Sequence, residues 1–283
     1  MKKSVLFFII LSSVCATVAA QDSINYGYEN YRRGWSLQIG AAGGYGTYRD
    51  MGTAPISFDG VLLQQNLGLR LTFPRRMEFS LVSRTALGVF EDAVKPLLNF
   101  SAFDIHNMLQ FKFVKAIRRR DGNGGERRLI TPYWGVAMTN FLDVTVNTNY
   151  ENAAAGVSDI LGPEAIGRLD FQPRWKAPVQ FHGEMALMPF ATVLRPGYSY
   201  IDNYSSTQPV LDALFSDFDV SIKTFAAVTT DIGIDIVTGP ASRITFSYLW
   251  SYHTTGDSGH HRFDHATHLF SIDFLVKLRV RER

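Results

Sequence analysis

The last part of the chain alternates apolar and polar residues with a period of two. Over 243–253, the apolar side carries Ile244, Phe246, Tyr248, Trp250 and Tyr252. The opposite side carries Thr245, Ser247, Ser251 and His253, with Leu249 as the one exception. Over 266–280, Phe270, Ile272, Phe274, Val276, Leu278 and Val280 oppose Ser271, Asp273, Lys277 and Arg279. A period of two predicts β-strands, and these two runs predict a hairpin with one apolar face.

Similar alternation elsewhere predicts ten strands, with eight or twelve as alternatives. The predicted strands are 35–48, 61–73, 77–90, 102–117, 128–143, 167–174, 178–188, 217–237, 243–253 and 266–280. Short turns rich in Gly, Pro, Asn and Asp follow the even-numbered strands, whereas 49–60, 91–101, 144–166, 189–216 and 254–265 form longer connections. Alternating short and long connections are typical of outer-membrane barrels and predict that both chain ends lie on the periplasmic side.

The N-terminus has the pattern of an export signal. Lys2 and Lys3 precede an apolar stretch at 5–11, and Val18-Ala19-Ala20 offers a cleavage site. We predict a cleaved signal peptide at 1–20, a periplasmic segment at 21–34 and a barrel at 35–283. No later run of about 20 apolar residues predicts a membrane-spanning helix. The predicted location is the outer membrane of a Gram-negative bacterium.

These patterns predict an all-β fold, a transmembrane antiparallel up-and-down β-barrel with apolar residues facing lipid and polar residues facing the lumen. A soluble periplasmic β-sandwich or lipocalin-like barrel would alternate too, with the two faces exchanged. Aromatic residues near strand ends favour the membrane barrel, because such residues form girdles at membrane interfaces. They are Trp35, Tyr45, Tyr48, Tyr133, Trp134, Trp250 and Tyr252.

Charge and cysteine content exclude several classes of function. The chain has 28 Lys and Arg against 26 Asp and Glu. Lys2 and Lys3 would leave with the signal, and the balanced remainder gives no reason to expect nucleic acid as a partner. The only cysteine, Cys15, would leave as well. The mature chain would then have no disulfide, no zinc–thiolate site and no cysteine nucleophile.

With this orientation the lumen is charged. The predicted lumen-lining residues are Arg70, Arg84, Lys112, Glu184, Asp231, Asp235 and Lys277. Opposite charges can neutralise one another, and a barrel of about eight strands is just wide enough to be filled by side chains. We therefore expect a narrow, plugged lumen. A narrow passive channel for small polar solutes, with selectivity set by these charges, is the alternative.

Five of the seven histidines lie in or beside the last long connection. Imidazole with carboxylate is a donor set for divalent metals, and His260, His261, His265 and Asp264 are the candidate ligands. The four-residue spacing of His261 and His265 suits a helix, however, and this segment has the pattern of a loop. We expect no metal site and no cofactor.

An enzyme is the third hypothesis, either a lipid hydrolase or a protease. The His-x-Ser pair of the outer-membrane phospholipase and the lipid A deacylase is missing, because no histidine is followed two residues later by serine. Asp217-x-Asp219 and Asp264-His265 superficially resemble the acidic and Asp-His pairs of the omptin proteases. Nothing else in the sequence matches that family, and we do not expect an enzyme.

The overall length, the export signal and two segments carry a resemblance to known proteins. The two segments are 186–200, with Ala186-Leu187-Met188-Pro189 and Arg195-Pro196-Gly197-Tyr198, and the terminal hairpin at 248–253 and 268–273. The chain resembles small outer-membrane barrel families of Gram-negative gut bacteria that carry domain-of-unknown-function labels. The resemblance implies a fold and a location, and no catalytic residues. The chain ends in Arg281-Glu282-Arg283, unlike porins that end in an aromatic residue.

The sequence thus predicts a structural or surface-binding role for an outer-membrane barrel. Its expected partners are outer-membrane lipid, periplasmic chaperones and the barrel-insertion machinery. The sequence predicts no oligomeric state.

Overall fold

The computed structural model describes residues 34–50, 57–73, 77–92, 102–117, 130–147, 155–173, 179–196, 218–239, 241–255 and 262–278. The predicted signal peptide at 1–20, and all but the last residue of the predicted segment 21–34, lie outside the described residues. Among the described residues, no helix has the length and apolar character needed to cross a membrane.

The described part of the chain forms ten β-strands. Their bounds are β1 (Gly34–Asp50), β2 (Ser57–Phe73), β3 (Met77–Asp92), β4 (Ala102–Ala116), β5 (Ile130–Asn147), β6 (Ala155–Phe171), β7 (Val179–Pro196), β8 (Phe218–Gly239), β9 (Ser242–Thr254) and β10 (Phe263–Lys277).

The ten strands close into one barrel. Each strand pairs antiparallel with its neighbours in sequence, and β1 pairs with β10 to complete the ring. Ile39 stands opposite Phe274, and Ala41 opposite Ile272. We call the end at which β1 stops and β10 starts the loop end, and the end at which β8 stops and β9 starts the turn end. The predicted up-and-down barrel of ten strands is confirmed.

The polarity of the two faces is the reverse of that in a soluble protein. On β4, the outward Phe103 and Phe111 are 49% and 55% exposed, whereas the inward Asp104 and Lys112 are 1% and 7% exposed. On β10, Phe270 and Phe274 point outward in the same way. A lipocalin-like barrel would bury the apolar face and expose the polar one. An apolar exterior around a polar interior is the arrangement of a membrane-spanning barrel.

All five predicted long connections are partly strand, and the overlap is largest in two of them. The predicted loop 144–166 contains the end of β5 and the first part of β6, and the predicted loop 189–216 contains the end of β7. Pro163 and Pro189 favoured the prediction of loops here, because proline lacks the backbone N–H that a regular β-ladder needs. The structure accommodates both prolines at register shifts, between Leu161 and Ala165 on β6 and between Met188 and Phe190 on β7.

The predicted aromatic girdle is partly wrong. Trp35, Tyr45 and Trp134 are exposed on the outer face as expected. Tyr48 and Tyr133 are buried in the lumen instead, because each lies on the inward register of its strand. Leu249, the exception in the terminal hairpin, also points inward and packs against Leu269 and other buried apolar side chains.

Gly44 allows a close approach between β1 and β10. A Cβ atom at this position would press against the backbone carbonyl of His268. We expect Gly44→Ala to destabilise the barrel by about 1–3 kcal/mol, since backbone must move to relieve the contact. Gly183→Ala is the control, because nothing lies within 4 Å of the added carbon. Urea unfolding in lipid vesicles measures both effects, and equal stabilities would contradict the prediction.

Candidate functional site in the barrel lumen

Charged side chains in the turn half of the lumen form ion pairs. Arg70 lies 3.2 Å from Glu78, and Arg168 reaches the same carboxylate at 3.7 Å. Asp235 lies 3.3 Å from Arg243 and also accepts a hydrogen bond from Thr245. These groups therefore neutralise one another inside the lumen.

Other ion pairs cross the lumen. Lys112 on β4 lies 2.6 Å from Glu184 on β7. Arg84 on β3 lies 3.2 Å from Asp231 on β8, and in a ring of ten strands β3 and β8 are diametrically opposite. His182 on β7 also reaches Asp231, at 3.2 Å. The first two of these contacts connect separate parts of the barrel wall across the lumen.

The structure places all the predicted lumen-lining residues on the inward face. Six of them take part in the ion pairs above: Arg70, Arg84, Lys112, Glu184, Asp231 and Asp235. Lys277 lies at the turn end, half-buried and opposite Ser36 in the strand register.

A cluster of three histidines around one aspartate occupies the loop half of the lumen. Asp143 on β5 lies 2.7 Å from Nδ1 of His106 on β4 and 2.8 Å from Nε2 of His253 on β9. Nδ1 of His265 on β10 lies 3.0 Å from the same carboxylate. We call these four residues the histidine–aspartate cluster. When Asp143 is ionised it only accepts hydrogen bonds, so each facing ring nitrogen carries the proton.

A second carboxylate borders this cluster. Asp104 lies on β4, two residues from His106, and is 1% exposed. Its Oδ2 atom is 3.8 Å from Nε2 of His265, which is too far for a hydrogen bond. The loop half of the lumen thus holds two carboxylates and three imidazoles in close contact.

Aromatic rings enclose the histidine–aspartate cluster. The His253 ring stacks on Phe141 at 4.9 Å and on His106 at 5.2 Å, measured between ring centroids. Phe263 packs against His253 and His265, and Phe90 meets His265 edge-on. The apolar walls lower the local dielectric and strengthen the polar contacts inside.

A buried ion pair and packed apolar side chains lie near the cluster. Arg195 on β7 lies 2.8 Å from Asp50 on β1, and its guanidinium is 5.5 Å from the centre of the Phe263 ring. Tyr48 stacks on Phe58 in the same region. The loop half of the lumen therefore combines buried charged groups with packed apolar side chains, and these apolar side chains were not part of the predicted charged lumen.

A small cavity lies beside the cluster. Its volume is about 20 Å³, and His106, Gln64, Arg84 and Thr267 are among the residues that line it. This volume has room for about one water molecule.

Two of the predicted metal ligands lie in the described part of the chain, and of these His265 belongs to the histidine–aspartate cluster and Asp264 does not. Asp264, its neighbour, accepts hydrogen bonds from Thr254 and Arg262 outside the cluster. His260 and His261 lie outside the described residues. His106, Asp143 and His253 are not among the predicted ligands, although His253 is one of the five histidines in or beside the last long connection. The sequence contained one indication of this cluster, which is the register of the terminal hairpin. In that register His253 and His265 stand directly opposite each other.

Comparisons with known proteins add similarity of shape only. No protein family matches the sequence, and no curated protein matches it either. The chain is similar to the translocator domain of the autotransporter NalP from Neisseria meningitidis, at 7% identity and a TM-score of 0.46, over 98% of this chain and 96% of that one. It is similar to the outer membrane protease OmpT from Escherichia coli, at 8% identity and a TM-score of 0.49, over 87% and 97%.

A third similar structure is the toluene transporter TodX of P. putida, at 8% identity and a TM-score of 0.35, over 93% of this chain and 92% of that one. Similarities this weak say nothing about activity or ligands. The predicted membership of a domain-of-unknown-function family has no support from a family match.

Proposed function

We propose that this protein is an outer-membrane barrel with a closed lumen, which acts as a structural or surface-binding component of the membrane of a Gram-negative bacterium. The apolar exterior supports the membrane location, because such a surface is stable only in contact with lipid. The pattern of an export signal at 1–20 supports the route to that membrane.

The contacts across the lumen carry this proposal. Arg84 and Asp231 join opposite strands in the middle of the barrel, at 3.2 Å. Asp143 and His265 join the opposite strands β5 and β10 nearer the loop end, at 3.0 Å. Two diametric contacts at different depths leave little free path for a solute along the axis. Ten strands enclose only slightly more space than the eight that side chains can fill.

Burial supports a role other than catalysis. His106, His253 and His265 are 4%, 0% and 1% exposed. A catalytic group must touch its substrate, and a lipid or peptide could not reach these rings without a rearrangement of the aromatic side chains around them. We infer that partners would bind the surface of the barrel.

A planar-bilayer recording tests the closed lumen. We expect no stable conductance steps from the purified protein, because side chains block the path at two depths. Arg84→Ala combined with Asp231→Ala removes one contact without changing the net charge. This variant should remain closed, since the contact between Asp143 and His265 persists. Large, stable openings of the wild-type protein would overturn the proposal and favour the narrow passive channel.

A further inference from the structure

The histidine–aspartate cluster has the composition of a metal site. Its four side chains come from β4, β5, β9 and β10, and one potential ligand atom from each lies within 4.8 Å of all the others. All four residues are buried. Imidazole nitrogen and carboxylate oxygen are the donors that zinc and neighbouring transition metals take in proteins.

We infer that His106, Asp143, His253 and His265 form a binding site for a divalent first-row transition-metal ion, with Zn²⁺ as the representative ion. Three imidazoles disfavour Ca²⁺ and Mg²⁺, which prefer sites built from oxygen ligands. The inference does not depend on whether the lumen conducts.

The charge around the cluster favours a divalent cation. Within the described part of the chain, neither Asp104 nor Asp143 forms an ion pair with lysine or arginine, and their charged partners are histidines alone. In contrast, Asp231 faces Arg84 and Glu184 faces Lys112. Two buried carboxylates without a permanent cation are costly. One divalent ion would balance both charges while the imidazoles remain neutral.

Buried polar atoms without partners give a second, independent indication. Nδ1 of His253 and Nε2 of His265 have no hydrogen-bond partner in the described structure, and neither do the two carboxylate oxygens of Asp104. Unpaired buried polar groups are rare in native proteins and call for an explanation. An ion held by the cluster would let the ring nitrogens and Asp104 reorganise around it, with Asp104 as a supporting carboxylate for His265.

The geometry requires only small movements to accept an ion. A tetrahedral zinc site with bonds of about 2.1 Å separates its ligand atoms by about 3.4 Å. The imidazole nitrogens now lie 2.7 to 3.0 Å from Asp143, so these distances would lengthen by about 0.5 Å. The ligand set spans at most 4.8 Å. Changes of this size are of the order that side-chain rotations produce.

Burial assigns the site a structural role. An ion at this position would have no open coordination position toward solvent, as in structural rather than catalytic zinc sites. It would connect β4 and β5 with β9 and β10, on the opposite wall of the barrel. The ion would stabilise the folded barrel, because binding that is specific to the folded state adds to its stability.

The test is metal content after refolding. The full-length mature protein is refolded into detergent micelles with Zn²⁺, dialysed, and analysed for bound zinc by elemental analysis. We expect a single tightly held ion per chain and a higher unfolding temperature than that of protein refolded with a chelator. Refolding with Co²⁺ should give the visible absorption bands of a four-coordinate site with nitrogen and oxygen ligands, which needs no variant.

Two variants locate the ion. His253→Phe keeps a flat ring against Phe141 and removes one ligand, and its folding is checked by the mobility shift of unboiled protein on a gel. Its zinc affinity should fall by more than the 10-fold to 100-fold that losing a supporting contact typically costs. His260→Ala combined with His261→Ala removes the two predicted histidine ligands that are not part of the proposed site and should leave zinc binding unchanged.

Three outcomes would overturn the inference. The first is wild-type protein that retains no zinc and shows no four-coordinate cobalt spectrum. The second is a folded His253→Phe variant that binds zinc as tightly as the wild type. The third is loss of zinc in the variant lacking His260 and His261, which would move the site to the last connection.

Discussion

Replacing Asp143 with alanine is expected to destabilise the barrel by about 3–5 kcal/mol. Asp143 is 1% exposed and is the shared hydrogen-bond partner of His106, His253 and His265. Its removal leaves three buried imidazoles without that partner, and breaking a buried polar network in this way costs several kcal/mol. Urea unfolding in lipid vesicles, with a chelator present, measures the loss apart from any effect of metal.

Asp264→Ala is the matched control for Asp143. Asp264 is partly exposed at the loop end, and it accepts hydrogen bonds from Arg262, Thr254 and Tyr252 at the end of the barrel. Water can replace these contacts, so the expected cost is about 0–1 kcal/mol. Similar losses for the two variants would show that the three imidazoles do not depend on the Asp143 carboxylate for their stability.

Arginine at Ile272 is expected to cost about 2–4 kcal/mol. Ile272 points outward near the middle of β10, opposite Ala41 and Phe246 in the register, and a charge at that depth must be placed in hydrocarbon. Leu278→Arg is the control, because Leu278 is exposed just beyond the end of β10 and the expected cost near the interface is about 0–1 kcal/mol. Vesicle refolding titrations compare the two.

Equal costs at Ile272 and Leu278 would contradict the assignment of the outer face to lipid. A soluble barrel exposes its outer face to water at every depth, so arginine would be tolerated at both positions. The difference in cost between the two depths therefore tests whether the barrel spans a membrane. Neither the stability of the wild-type protein nor its conductance tests this.

The alternation of residues was sufficient to predict the barrel where strands are regular. On β4 and β10 the predicted faces are the observed ones, with Phe111 and Phe270 outward and Lys112 and Ser271 inward. The prediction was wrong where proline interrupts the ladder, at Pro163 and Pro189. There the missing N–H is tolerated only because β6 and β7 shift register around it.

The candidate site could be predicted only in part. The sequence pattern indicates His265 as a metal ligand with partners in the same segment, because spacing along the chain shows neighbours in sequence and not neighbours in space. The contact partner of His265 is Asp143, 122 residues away. His106 is 37 residues from Asp143 in sequence, and the two meet because β4 pairs with β5.

The sequence by itself determined the strands, their two faces and the class of fold, because a period of two is a local property that each strand carries independently. The tertiary structure decided which inward residues meet. Strand number, tilt and stagger set the width of a closed barrel and the level at which opposite walls face each other. These are properties of the whole ring, and they place the imidazoles of His253 and His265 against Asp143 on the opposite side of the lumen.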